Sequence, residues 1–145
     1  MFYSFLDRLR EPAFDLLRIF AGFCFAQHGA QKLFGWFGGV GPDGGTVELL
    51  SLMGLAGVLE FFGGIAILIG VLTRPVAFVL AGEMAVAYFM AHFPRGFWPS
   101  ENNGELAVLY AFIFLYLAAV GAGKWSVDAM LKKSEHGRIA EMPPT

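Results

Sequence analysis

Four long apolar stretches limit what this chain of 145 residues can fold into more than any other feature of it. They cover about residues 14–37, 49–72, 75–93 and 106–122. A helix needs roughly 20 mostly apolar residues to cross a bilayer core of about 30 Å. These stretches are apolar almost all round, whereas a helix of a soluble bundle keeps one polar face. The sequence therefore predicts an all-α membrane protein, a bundle of four transmembrane helices forming a single domain, 1–145, with a short cytoplasmic tail at 123–145.

Composition favours lipid over water as the surroundings of this chain. Hydrophobic residues make up 57% of it, above the roughly 45–50% usual for a soluble domain. The net charge of -2 gives no indication of a nucleic-acid partner. Cys24 is the single cysteine, so no disulfide forms within one chain.

The charges outside the apolar stretches predict how the bundle is oriented. One side of it collects the basic residues Arg8, Arg10, Arg74, Lys124, Lys132, Lys133 and Arg138. The other side carries only Arg95, set among acidic residues. Since loops rich in Lys and Arg stay in the cytoplasm, we expect both termini there. Trp36, Trp98 and Trp125 fall at predicted span ends, where aromatic residues anchor a bundle at the interface.

Polar residues inside the spans are the candidate functional residues. An ionisable side chain there costs about 2.5–3.5 kcal/mol, so it usually faces the bundle interior and pairs. Counting along the predicted helices at about 1.5 Å per residue places His28, Glu60 and Tyr110 in one layer near the membrane middle. Lys32 lies four residues after His28, on the same face of the first helix.

The spacing of small residues indicates which way this layer faces. Gly57 and Gly64 share a helix face with Glu60 and would let the first helix approach that carboxylate closely. We therefore expect Glu60 to face inward and to pair with Lys32 or His28. Gln27 and Gln31 share a face of the first helix and complete the candidate polar cavity.

A second pair of charges is predicted nearer the cytoplasm. Arg18 in the first span and Glu83 in the third lie about one helical turn apart in depth. We expect them to form a structural ion pair that braces these helices.

The loop before the fourth span is long and aromatic, and it predicts a lid or outer mouth over the bundle. The residues of interest there are His92, Asn103 and Glu105. Asn102 or Asn103 is placed to cap the fourth helix, and Glu105 in its first turn suits the helix dipole. After that helix, Ser126 is placed to cap a short interfacial helix.

Four interpretations of the polar layer remain open. It binds a quinone head group, it relays protons, it lines a cavity for a small substrate, or its members only satisfy one another. A haem between His28 and His92 is a weaker alternative, because His92 lies near the lipid–water boundary. No cluster shows the ligand spacing of a metal site, so none is predicted.

Three segments together resemble a known family. They read LLRIFAGFCFAQHGAQKLFG at 16–35, GLAGVLEFFGGIAILIGVLTRP at 54–75 and NNGELAVLYAFIFLYLAAVGAGKWSVD at 102–128. Matched positions include Arg18, His28, Gly29, Lys32, Glu60, Gly63, Gly64, Thr73, Arg74, Pro75, Asn103, Gly104, Glu105, Ser126 and Asp128. In these positions the sequence resembles the DoxX family of small bacterial four-helix membrane proteins, whose members are linked to a thiosulfate:quinone oxidoreductase subunit and to complexes handling oxidative or thiol stress.

The resemblance implies a function, although it assigns no catalytic role to any residue. It implies an accessory or quinone-interacting subunit of a redox system in the bacterial inner membrane, with quinone as the cofactor. The expected partners are the lipid bilayer, other membrane or soluble redox subunits and further copies of this chain. The alternatives are a small transporter or lipid-handling protein and a non-catalytic membrane scaffold.

Overall fold

The computed structural model describes the backbone of residues 2–140 and the side chains of residues 3–135. This part of the chain is helical and contains no strand, which confirms the all-α prediction. Its helices are α1 (Phe2–Phe34), α2 (Leu52–Ile69), α3 (Thr73–Arg95), α4 (Pro99–Asn102), α5 (Glu105–Val120) and α6 (Val127–Ala140). The last residues of the expected tail, 141–145, lie outside the described part.

Local capping fixes where α1, α2 and α3 begin and end. The Ser51 hydroxyl accepts a hydrogen bond of 3.0 Å from the Gly54 N–H and starts α2 three residues later than the apolar pattern suggests. Gly35 and Gly70 adopt left-handed conformations, with φ of 69° and 71°, and end α1 and α2. Pro75 lies in the first turn of α3, as expected.

Helices α1 and α2 approach each other closely enough for their backbones to touch. A Cβ added to Gly64 would lie 2.5 Å from the Ala26 nitrogen, and one added to Gly29 would collide with the backbone of Phe61. Small residues at such a crossing replace the hydrophobic effect, which does not drive helices together in lipid, with close van der Waals packing. The predicted contact between the Glu60 face of α2 and the first helix is confirmed.

A second pair, α3 and α5, packs beside the first and closes the core. The buried apolar side chains are Phe25, Ile67, Ala77, Leu80, Ala81, Met84, Ala107, Phe114 and Leu117. Phe25 of α1 contacts Phe114 of α5 with ring centroids 4.7 Å apart, which ties the two pairs together.

The outer surface of the bundle is apolar. Phe62, Phe78, Phe89 and Phe112 are all about two-thirds exposed, as suits side chains that face lipid rather than water. Helices α2 and α3 are long and apolar enough to cross a membrane, and α5 is an apolar helix of 16 residues.

The expected Arg18–Glu83 ion pair is wrong, because Arg18 binds elsewhere. Its fully buried guanidinium donates to the carbonyl oxygens of Ile67, at 2.7 Å, and of Leu68 in the last turn of α2. It also donates to the Trp125 carbonyl and lies 4.0 Å from the Asp15 carboxylate. The last carbonyls of a helix have no partner within it, so α2 offers Arg18 acceptors closer than Glu83.

The segment before α6 folds back onto the turn between α2 and α3. Ser126 caps α6 through a bond of 3.1 Å from the Ala129 N–H, which confirms that prediction. Asp128 accepts bonds of 2.8 and 2.9 Å from the backbone N–H groups of Leu72 and Thr73, where α3 begins. Partial burial acts to raise the pKa of Asp128, but these bonds and the charge of Lys132 outweigh it and hold that pKa below its ordinary value.

Candidate functional site

A buried ion pair joins α1 to α2 in the middle of the bundle. The Lys32 ammonium donates to Oε1 of Glu60, and the Glu60 residue is only 3% exposed. Lys32 reaches it from the edge of the bundle, with 17% of its side chain exposed. The predicted partnership of Glu60 with Lys32 is confirmed. Gly57 contributes to it, because it packs directly against Cβ of Lys32.

Glu60 lies in a π-helical turn, Leu59–Gly63, inside the otherwise α-helical α2. Such a turn adds one residue to the helix, is rare and frequently occurs at functional sites; α3 contains a second one, Tyr88–His92. Nothing in the local sequence predicts this turn. It marks the position of Glu60 as specialised, in addition to the cost of burying a carboxylate there.

Glu83 belongs to the same layer as Glu60, rather than nearer the α2–α3 turn as predicted. Both of its carboxylate oxygens are buried without a hydrogen-bond partner among the described residues. It lies within electrostatic range of Glu60 and Lys32. Three helices, α1, α2 and α3, therefore bring one ammonium and two carboxyl groups together.

A polar pocket of about 390 Å³ opens beside this charged layer, mainly on α1. It is lined by Cys24, Gln27, His28, Gln31, Phe37 and Tyr110. The structure thus brings together both predicted glutamines, His28 and Tyr110. The His28 and Tyr110 rings lie edge to face, with centroids 6.4 Å apart. His28 is exposed in this pocket, so its ring is free to contact a ligand.

An apolar groove of about 260 Å³ adjoins the polar pocket between α1 and α5. Its lining is Leu17, Phe20, Ala21, Cys24, Leu106, Leu109, Tyr110 and Ile113. Cys24 and Tyr110 line both spaces, so the two lie side by side. We call the combined space the α1–α5 cleft. It is polar at one end and apolar at the other.

The loop before α5, which was expected to form a lid or outer mouth, does not line the cleft. His92, Asn103 and Glu105 are absent from its lining, and its one loop residue is Phe37, from the connection after α1. His92 instead contacts the Asn102 carbonyl through Nδ1 at 3.2 Å. Neither asparagine caps α5, since Gly104 holds the capping position there.

Asn102 organises this loop internally. It is 1% exposed and donates to the Gly96 carbonyl at 2.8 Å and the Tyr88 hydroxyl at 3.3 Å. Its side-chain oxygen accepts a bond of 2.8 Å from the Gly104 N–H. Asn103 is exposed in a left-handed conformation with φ of 59°, and so ends α4.

Two residues of the polar pocket escaped the sequence-based prediction. Cys24 lies four residues before His28 and therefore on the same helix face, a signal that the spacing already contained. Phe37 reaches the pocket because the chain turns sharply after Gly35, and its own backbone is left-handed with φ of 56°. A bulky residue in that conformation is uncommon, and no sequence pattern predicts it.

Several known proteins are similar to this chain in sequence. The model of the DoxX family matches residues 13–93. An uncharacterized protein of Haemophilus influenzae is 38% identical over 127 residues, covering 85% of this chain and 93% of its own length. Inner membrane protein YqjF of Escherichia coli is 31% identical, covering 88% and 98%. An uncharacterized membrane protein of Mycobacterium tuberculosis is 29% identical, covering 84% and 83%. No solved structure matches the chain.

Proposed function

The chain belongs to the DoxX family of membrane proteins, and we propose that it binds the head group of an isoprenoid quinone as an accessory subunit of a membrane redox system. The observation that carries this proposal is the α1–α5 cleft, in which a polar pocket and an apolar groove lie side by side and share Cys24 and Tyr110 as lining residues. A quinone has the same two parts, a ring with two carbonyl oxygens and a long apolar tail.

The polar end of the cleft offers the groups that quinone carbonyls need. His28, Gln27, Gln31 and Tyr110 all carry N–H or O–H donors, and Phe37 offers a ring face for stacking. The apolar end, between Leu17 of α1 and the start of α5, would cover the first part of the tail.

A redox role requires partners. Cys24 is the single cysteine of the chain, so any dithiol reaction needs a second thiol from another protein. We therefore place this chain beside an electron-carrying subunit, for which it positions the quinone.

Apolar helices and basic residues support a proposal for how the chain lies in the membrane. We propose that α1, α2, α3 and α5 cross the inner membrane, that both termini are cytoplasmic and that α6 lies on the cytoplasmic surface. The apolar character of α2, α3 and α5 supports the crossings, and the basic residues at the α2–α3 turn and in α6 support the orientation. The Escherichia coli relative is itself named an inner membrane protein.

Tryptophan fluorescence gives a direct test, because Trp36 contacts Phe37 with ring centroids 6.4 Å apart. Purified protein in lipid nanodiscs is titrated with short-chain ubiquinone and menaquinone analogues, and saturable quenching is expected. Losing one hydrogen bond costs about 0.5–1.5 kcal/mol, so Tyr110→Phe and His28→Ala should each weaken binding by about 2–10-fold.

Tyr116→Phe is the matched control, since Tyr116 is on the same helix but contacts Phe14 outside the cleft. It should bind as the wild type does. Quenching that never saturates, or equal binding by Tyr110→Phe and Tyr116→Phe, would contradict the proposal.

Lipid handling is the second candidate, favoured by an apolar groove of about 480 Å³ between α3 and α5, near Phe78 and Phe112. An alkyl alcohol as long as the quinone tail separates the two functions. If the cleft is a quinone site, the alcohol should leave quenching by quinone unchanged. If it is a general lipid site, the alcohol should displace the quinone and abolish the quenching.

A further inference from the structure

We propose that Glu60 and Glu83 share one exchangeable proton beside Lys32, so that the bundle interior contains a proton-binding site. The proposal concerns a site separate from the α1–α5 cleft and does not depend on which ligand the cleft takes. It rests on the levels of the three side chains, on their unequal pairing and on the charge of the cluster.

The levels of the two carboxyl groups follow from one packing contact. Gly63 of α2 packs against Leu80 of α3, where an added Cβ would lie 2.8 Å from a Leu80 methyl carbon. Because α2 and α3 are joined by the short turn at 70–72, they run antiparallel. Glu60 lies one turn before Gly63 and Glu83 one turn after Leu80, so both reach the same level of the bundle.

The pairing at this level is incomplete. Oε1 of Glu60 binds the Lys32 ammonium, while Oε2 is buried and has no hydrogen-bond partner among the described residues. Both carboxyl oxygens of Glu83 are also buried and have no hydrogen-bond partner among the described residues. Three buried carboxyl oxygens without donors would each carry a desolvation cost. A proton on one carboxyl group lowers that cost, because it removes a buried charge and turns one of the three oxygens into a donor.

The charge of the cluster calls for the same proton. One ammonium neutralises one carboxylate, and a second ionised carboxylate in a low-dielectric interior takes up a proton instead of remaining charged. Among the described residues, His28 of α1 and Tyr110 of α5 also lie within electrostatic range of Glu60, and neither type of side chain adds a negative charge at neutral pH. The neutral state of the cluster is thus Lys32 ammonium, one carboxylate and one carboxylic acid.

The proton can occupy either glutamate without changing the net charge. In one state Lys32 binds ionised Glu60 and the proton is on Glu83. When the ammonium moves to Glu83, the proton of Glu83 passes to Oε2 of Glu60, so one O–H bond breaks as another forms. His28 lies within electrostatic range of Glu60 and is exposed in the polar pocket.

Infrared spectroscopy of the protein in lipid tests the proposal, because a protonated carboxyl group has its own C=O stretching band. At neutral pH the wild type should show one such band per chain, and transfer to D₂O should shift it. Glu83→Gln should abolish the band. Glu60→Gln should abolish it too, since Lys32 then pairs with Glu83 and ionises it. Lys32→Met should double it, because both carboxyl groups then hold a proton.

Glu105→Gln is the control, since Glu105 is exposed at the start of α5 and should leave the band unchanged. The wild-type spectrum alone keeps the proposal falsifiable should a variant fail to fold. A wild type without the band overturns it, and so does a band that survives Glu60→Gln, which would mean that Glu83 holds its proton alone. If the wild type lacked the band and Na⁺ or Li⁺ raised its melting temperature, the cluster would bind a metal cation and the proposal would be overturned.

Discussion

The crossing of α1 and α2 makes Gly64→Ala a sharp test of how this bundle is held together. A Cβ at residue 64 would lie 2.5, 2.8 and 2.9 Å from the nitrogen, Cα and Cβ of Ala26. The optimum for such contacts is about 3.5–4.0 Å, so the helices must separate by about 1 Å. A gap of that size forfeits roughly a quarter to a half of each contact energy along the crossing.

Overpacking of this kind costs about 1–3 kcal/mol. The higher helix propensity of alanine offsets about 0.5–1 kcal/mol of it, which leaves a net loss of up to about 2.5 kcal/mol. At roughly 4 °C per kcal/mol for a chain of this size, the melting temperature should fall by up to about 10 °C. Thermal unfolding of the detergent-solubilised protein, followed by tryptophan fluorescence, measures it.

Gly82→Ala is the matched control, because an added Cβ there meets nothing within 4 Å. That variant gains helix propensity without a clash, so its melting temperature should stay equal to that of the wild type or rise. Equal melting temperatures for Gly64→Ala and Gly82→Ala would refute the idea that backbone contact between α1 and α2 stabilises the fold.

Two further predictions concern charges. Lys32→Met removes the ammonium that stabilises the buried Glu60 carboxylate, so Glu60 must take up a proton to stay buried, and the free energy of unfolding should fall by up to about 3–5 kcal/mol. The double variant Lys32→Met with Glu60→Gln should recover most of this loss in a denaturing-detergent titration, and no recovery would contradict the pair. Asp128→Asn should cost about 1 kcal/mol, as loss of a helix cap does. Because the pKa of Asp128 is lowered by folding, its stabilisation is present above its unfolded pKa of about 4 and is lost as the pH falls through the folded value. Melting temperatures measured below about pH 5 should therefore drop more steeply for the wild type than for Asp128→Asn, and parallel curves would exclude this role.

Helix ends explain why the Lys32–Glu60 pair was predictable and the location of Glu83 was not. The prediction of the Lys32–Glu60 pair depended on spacings of three and four residues, which place residues on one helix face wherever the helix begins. The second depended on counting depth from predicted ends at residues 72 and 75. Glu60 in fact lies nine residues before the end of α2 at Ile69, and Glu83 ten residues after the start of α3 at Thr73, about 14 and 15 Å from the turn.

Gly70 and Asp128 account for those displaced ends. Gly70 stops α2 in a left-handed conformation, and Asp128 starts α3 at Thr73 from a distant part of the chain. The glycine is a local signal, but it is hard to recognise inside an apolar run. The Asp128 contact is a tertiary interaction, which the local sequence does not contain. The same holds for Asn102, whose partners include Tyr88, on a different helix. Fold class and helix faces were thus predictable, whereas the partners of buried polar groups needed the packed structure.

The binding of Arg18 also sets an order on assembly during synthesis. Its acceptor at Trp125 is 107 residues further along the chain, so α1 emerges with a charged group that lacks one of its acceptors until synthesis has passed residue 125. An arginine at that depth is costly in lipid while it is unpartnered. We therefore expect the packing of α1 against α2 to become complete only when the segment before α6 has been made and Trp125 has reached Arg18.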